Sequence, residues 1–243
     1  MGIIHKLFYN KNTINLFFKR RVVILERVVN QIILHDFTKN NRSEEFFYIN
    51  NLDFKEEFQH IMKHFSNSTS ENEQQIIFLE FGVLEGKSIN IASKINKHQN
   101  SIFIGFDSFE GLPENWQKSH PKGYFNVDGK LPKINDLRVS FVKGWFTDTI
   151  DEFLPKLNSI IENNKKAKII INMDADLFSS TSYVLSKLEK YIQSDVIIRF
   201  DEFGELTDNS EFCAFYNFVR TYNKSFEILF SDKWNRHVVL KIN

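Results

Sequence analysis

The chain has 243 residues, enough for one large α/β domain with a helical appendage, and its 31 Lys and Arg balance 31 Asp and Glu. A chain with no net charge has no long-range field to gather nucleic acid or an anionic membrane, so a small neutral or mildly charged ligand is expected. Cys213 is the only cysteine, which excludes an internal disulfide and a cysteine-cluster metal site, and no apolar run approaches the roughly 20 residues that cross a bilayer.

Met1 to Tyr9 lacks the apolar stretch and cleavage site of a signal peptide, so a cytoplasmic protein is expected. From Thr13 to His35, apolar residues at Ile14, Phe17, Phe18, Val22, Leu25, Val28, Val29 and Ile32 keep helical spacing, which predicts an amphipathic helix with one buried stripe. Arg20, Arg21 and Arg27 are compatible with membrane phosphates, but packing on the domain or on a second subunit is the simpler role, and a homodimer is the expected assembly. The polar stretch Ser66 to Gln75 reads as a connection. It divides the chain into an N-terminal helical segment, 1–75, and a ligand-binding domain, 76–243.

Apolar runs then predict seven strands: Ile76 to Phe81, Ile102 to Phe106, Val139 to Val142, Ile169 to Met173, Val196 to Phe200, Phe226 to Phe230 and Val238 to Ile242. Helical spacing appears in Ser88 to Lys97, Thr149 to Asn163 and Ser180 to Gln193. This alternation predicts a Rossmann-like α/β fold, a mostly parallel seven-stranded sheet with helices on both faces. Ser231 to His237 is too short for a helical crossover, so the last two strands should form an antiparallel hairpin. Gly111 to Asn135 has no clear period and holds Pro113, Pro121 and Pro132 with Trp116, His120 and Tyr124. A loop of that length suits a lid, with His120 read as solvated.

Ligands of such sheets bind at the carboxyl ends of the strands, and carboxylates follow four of the first five. Glu80-Phe-Gly-Val-Leu-Glu-Gly-Lys-Ser88 closes the first strand and opens a helix; its glycines allow a tight turn but do not make the dinucleotide pattern G-x-G-x-x-G. Asp107 follows Glu80 by about 27 residues, near the offset at which an acid accepts from ribose hydroxyls, so the pair points to a nucleoside. Asp174-Ala175-Asp176 ends an apolar strand and Asp201-Glu202 the next, a charge concentration that a divalent cation would relieve, and oxygen-only ligands suit magnesium.

The runs Phe78-Leu-Glu-Phe-Gly-Val-Leu-Glu-Gly86, Gly105-Phe-Asp-Ser-Phe-Glu-Gly-Leu-Pro-Glu-Asn-Trp116, Lys143-Gly-Trp-Phe-Thr-Asp-Thr149, Asp174-Ala-Asp-Leu-Phe-Ser-Ser-Thr181 and Phe200-Asp-Glu-Phe203 resemble, in order and spacing, the macrocin O-methyltransferase family of S-adenosylmethionine enzymes. The likeness covers Phe78 to Ile242. It implies that Glu80, Gly82 and Gly86, with Ser88, receive the methionine half of S-adenosylmethionine, that Asp107 and Ser108 meet the ribose, and that Trp145 and Phe146 flank the adenine. It further implies Asp174, Asp201 and Glu202 as magnesium ligands and Asp176 as general base toward a sugar or glycoside with a vicinal diol. The family has two aspartates where this chain has Asp201-Glu202, and the longer Glu202 sets its carboxylate further out.

Two other function classes fit parts of the sequence. The D-x-D of Asp174-Ala175-Asp176 also suits a metal-dependent nucleotide-sugar glycosyltransferase, which leaves Glu80 to Ser88 and Asp107 unexplained. A non-catalytic cofactor-binding protein of the same fold would have no need of the four acids. Tyr183-Val-Leu-Ser-Lys187 matches the Tyr-x-x-x-Lys of short-chain dehydrogenases, but the glycine-rich opening is missing, and the pair reads as helix surface.

Overall fold

The computed structural model describes residues 27–50, 53–65, 73–204 and 209–243. Within them a helix α1 (27–40) is followed by β1 (Arg42–Ile49), α2 (Phe54–His64), β2 (Ile76–Phe81), α3 (Lys87–Ile95), β3 (Ile102–Asp107) and β4 (Val139–Lys143). Then come α4 (Phe146–Asn163), β5 (Lys168–Met173), α5 (Phe178–Leu188), β6 (Ile197–Phe200), α6 (Glu211–Thr221), β7 (Phe226–Asp232) and β8 (Val238–Ile242). One sheet takes the order β1-β7-β8-β6-β5-β2-β3-β4. Only β8 runs against its neighbours β6 and β7; the other pairs are parallel. The strand order reverses between β2 and β5, where doubly wound sheets open a crevice for a ligand.

The seven apolar runs all became strands, and the terminal hairpin is antiparallel as its short connection requires. The sheet has eight strands rather than seven because Arg42–Ile49, inside the segment read as helical, pairs in parallel with β7. A polar sequence such as Arg-Ser-Glu-Glu-Phe-Phe-Tyr-Ile forms a strand at an edge, where one side needs no partner and one face remains wet. Of the predicted helix Thr13 to His35, residues 13–26 lie outside the described residues, as do Arg20, Arg21 and, in the Ser66 to Gln75 connection, 66–72. The described part runs beyond His35, and Phe37 packs edge-on against Phe212 at 5.3 Å and stacks on Phe226 at 5.1 Å. Among the described residues no helix is long and apolar enough to cross a membrane.

Alternation along the strands builds two cores. Ile77, Leu79 and Phe81 of β2 face α4, α5 and α6, with Phe81 stacked on Phe106 at 4.7 Å. Ile76 and Phe78 face α2 and α3, whose Phe58, Ile61, Met62, Ile89 and Ala92 are buried. Each of the Ile, Leu, Met and Phe side chains contributes about 1.5–3 kcal/mol when removed from water. On the second face the alternation continues into a polar layer. Glu80, Asn172 and Arg199 follow Phe78, Ile170 and Ile197 by two residues, and all three are buried directly beneath the carboxyl ends of the strands.

Candidate active site

A cavity of about 720 Å³ opens at the carboxyl edge of β2 to β6. Its floor is the set of turns that leave these strands, and the connection between β3 and β4 forms a wall through Leu112, Pro113, Trp116, His120 and Phe125. His120, read as solvated, lies in an aromatic group, 4.4 Å from the Tyr124 ring and 5.3 Å from Trp116. The same connection returns across the site, so a side chain at Gly86 would lie 2.8 Å from Pro132 Cβ.

At the β2 turn, Gly82 has φ +94°, and a Cβ there would lie 1.8 Å from the Asp174 carbonyl oxygen, so glycine is required where the β2 and β5 turns cross. Asp107 locks this turn. Its Oδ2 accepts from the N–H groups of Val83 and Leu84 at 2.7 and 2.8 Å, and its Oδ1 from Phe109 at 2.7 Å. Those bonds use three of roughly four acceptor positions on a carboxylate, which leaves one for a ligand hydroxyl. Ser108 is buried beside it and accepts from Glu110 N–H at 3.1 Å. Trp145 and Phe146, at the start of α4, line the cavity, and the Phe146 ring packs edge-on against Phe81.

Gly82, Asp107, Ser108, Trp145 and Phe146 thus share one cavity wall, whereas Glu80, Gly86 and Ser88 are set behind the turn and do not line it. Glu80 is fully buried and accepts from Ser88 Oγ and, at 2.9 Å, from Asn172 Nδ2. Burial pushes its carboxyl up to about 8 against those two hydrogen bonds, so it is largely protonated at neutral pH. The native state therefore binds this proton more tightly than the unfolded chain, and the stability linked to it is lost as pH rises from about 4.5 toward 8. Glu80→Gln removes the titration. Urea unfolding of the two proteins should give a gap that opens in favour of the glutamine variant between pH 5 and 8 and is absent at pH 4; parallel profiles would show that Glu80 does not titrate in this window.

At the other end of the cavity lie Asp174, Ala175 and Asp176 after β5, and Asp201 and Glu202 after β6. Asp176 has φ +60°, a left-handed conformation that aspartate tolerates better than most residues. Burial and then the charges of Asp201 and Asp176 raise the Asp174 carboxyl well above its usual range. Asp201 behaves oppositely. Burial would raise it, but the Arg199 guanidinium, 2.6 Å from its Oδ1, and His237 hold it low.

Several residues absent from the sequence reading complete this end. Arg199 Nε donates to Glu57 Oε2 at 2.5 Å and its NH1 donates to Asn172 Oδ1 at 3.0 Å, while His237 Nδ1 lies 2.6 Å from Glu57 Oε1. Ser88, Glu80, Asn172, Arg199 and Asp201 are consequently joined in one hydrogen-bonded chain beneath the cavity floor. Glu211 at the start of α6 ties the two acidic turns together, Oε1 accepting from Ala175 N–H and Oε2 from Glu202 N–H, each at 3.1 Å. An arginine inside the apolar run Val196 to Phe200 is the sequence signal for the first group; Glu211 has none beyond its place next to the N-cap Ser210.

The expected magnesium ligands Asp174, Asp201 and Glu202 all line the same cavity. Among the described residues no three His, Cys, Asp or Glu side chains are placed to hold one metal. Arg199 already supplies Asp201 with a positive partner. Tyr183, read as helix surface, also lines the cavity, and Lys187 pairs with Asp151 at 2.6 Å.

No family model matches this sequence, and no curated protein is found similar to it. Among solved structures, the O-methyltransferase NovP is similar over 77% of this chain and 78% of its own, with 16% identity and a TM-score of 0.55. The calicheamicin methyltransferase CalS11 aligns over 80% of this chain and 95% of its own at 15% identity and TM-score 0.49, and the S-adenosylhomocysteine-bound PaMTH1 of Podospora anserina over 87% and 94% at 12% and 0.40. The likeness to NovP shows a shared fold, a Rossmann-like α/β architecture.

Proposed function

We propose that this chain is an S-adenosylmethionine-dependent methyltransferase that transfers a methyl group to a hydroxyl oxygen of a sugar or glycoside bearing a vicinal diol. The observation that carries the reading is one cavity at the strand-order reversal, with Asp107 at one end and Asp174 and Asp176 at the other, in a fold similar to that of an O-methyltransferase. The remaining acceptor position of Asp107 suits a ribose hydroxyl, with Ser108 beside it. Trp145 and Phe146 offer aromatic surface to the adenine. Gly82 leaves room for the methionine end, while Glu80, Ser88 and Gly86 hold the turn from behind.

The sulfonium of the bound cofactor supplies an electrophilic methyl group. Asp176 would accept the proton of the acceptor hydroxyl when that oxygen takes the methyl group. The cavity aligns the two reactants, which is most of what an in-line transfer requires. No step is assigned to a divalent cation.

Titration calorimetry with S-adenosylhomocysteine, a UDP-sugar and NADPH tests the class. S-Adenosylhomocysteine should bind, and NADPH should not. Binding of the UDP-sugar alone would overturn the reading in favour of a glycosyltransferase.

A further inference from the structure

The turn that presents Asp176 is strained. Its φ of +60° lies in the left-handed region, and Leu177 N–H donates back to the Ala175 carbonyl at 2.6 Å, which closes a tight turn centred on Asp176. Such a turn with positive φ at its centre is rare, and it persists only where surrounding groups fix it. Here the N–H groups on either side of Asp176 are held by side chains from another element. Glu211 Oε1 accepts from Ala175 N–H at 3.1 Å, and Asn209 Oδ1 accepts from Phe178 N–H at 2.9 Å.

Both holders stand at the start of α6, which is itself fixed. Ser210 caps the helix by accepting from Cys213 N–H at 3.3 Å, and the buried Phe212 packs edge-on against Phe203 at 5.4 Å. Because Glu211 Oε2 also accepts from Glu202 N–H, one carboxylate sets the spacing of the two acidic turns. Neither Asn209 nor Glu211 lines the cavity. Glu211 is buried, and the Asp176 charge is the strongest that acts on its carboxyl, an arrangement unfavourable for folding and therefore expected where placement matters more than stability.

Resting on the proposed methyl transfer, we propose that Asn209 and Glu211 are positioning residues, which hold the Asp176 carboxylate toward the acceptor hydroxyl without touching either reactant. Asn209→Ala removes the acceptor of Phe178 N–H, and Glu211→Gln leaves one of its two N–H donors without an acceptor oxygen. Each is made in the full parent chain and again in the Asp176→Asn background. In the parent, kcat should fall roughly tenfold to a hundredfold, the scale of a reacting group displaced by about an ångström, while acceptor KM and S-adenosylhomocysteine affinity stay within about threefold. In the Asp176→Asn background the same changes should cost less than about twofold, because the group they place is gone. Equal losses in both backgrounds, or no loss in either, would overturn the proposal. Hydrogen exchange at the amides of residues 175–178 reads the turn without turnover. It should quicken in Asn209→Ala, and unchanged exchange would equally overturn the proposal. A parent chain that releases no S-adenosylhomocysteine would instead remove the methyltransferase reading, with exchange still deciding whether Asn209 holds the turn.

Discussion

Asp176→Asn should lower kcat by about 10²- to 10⁴-fold, the usual contribution of a positioned base, while S-adenosylhomocysteine affinity stays within about twofold. The substitution is chosen for the backbone as much as for the charge. At φ +60° an alanine would add strain to the turn that also presents Asp174, whereas asparagine is among the residues that adopt this conformation most readily. The Glu211 clamp on Ala175 and Glu202 is unaffected, so both acidic turns should stay in place. Removing the Asp176 charge also relieves part of the repulsion on Asp174 and Glu211, so the variant should unfold at the same urea concentration or a higher one. The rate is read as S-adenosylhomocysteine released with a vicinal-diol glycoside as acceptor. A kcat within tenfold of the parent would move the proton acceptor elsewhere, with Glu202 the next carboxylate on the same wall.

Much of this molecule is legible in its sequence because the central strands are buried on both faces. All six residues of β2 are buried, so its sequence is an apolar run whose sole interruption, Glu80, marks the level at which the polar layer begins. The carboxylates at the strand ends could be read the same way, since a parallel sheet leaves one edge for chemistry. Other elements depend on tertiary context. β1 is polar and becomes a strand only because β7 offers an edge, and the spacing of Phe58, Ile61 and Met62 lay in a segment set aside as an appendage. In α6 the buried Phe212, Phe215, Phe218 and Val219 kept helical rhythm and went unread. The magnesium expectation finds no support among the described residues, and one physical feature bears on it. Clustered carboxylates do require positive charge, but the sequence does not reveal that Arg199, two residues before Asp201, points back beneath the strand ends to supply it. Its other partner, Glu57, is 142 residues away in the chain and meets it only in the folded sheet.

That pairing leads to the second large effect. Arg199→Met should cost about 3–5 kcal/mol at pH 7, because it leaves Glu57 and Asp201 negatively charged in a buried layer without their main partner. Burial opposes ionisation of both acids, but the arginine and His237 outweigh it and hold their carboxyls below the ordinary range. Folded values below the unfolded ones mean that these groups add stability above pH 4.5 and lose it as pH falls through the folded values. The deficit of the variant should thus be greatest near neutrality and shrink below about pH 4, where the stranded acids can take up protons. Glu57→Gln in the same background should recover part of the loss, since an amide tolerates burial without a counter-charge better than a carboxylate does. The hydrogen-bonded chain from Arg199 through Asn172 to Glu80 and Ser88 supports the turn proposed to hold the cofactor as well as Asp201. Weaker S-adenosylhomocysteine binding is therefore expected together with slower transfer. Urea unfolding across pH 3 to 8 distinguishes this account from a simple loss of packing, which would cost the same at every pH and would not respond to Glu57→Gln.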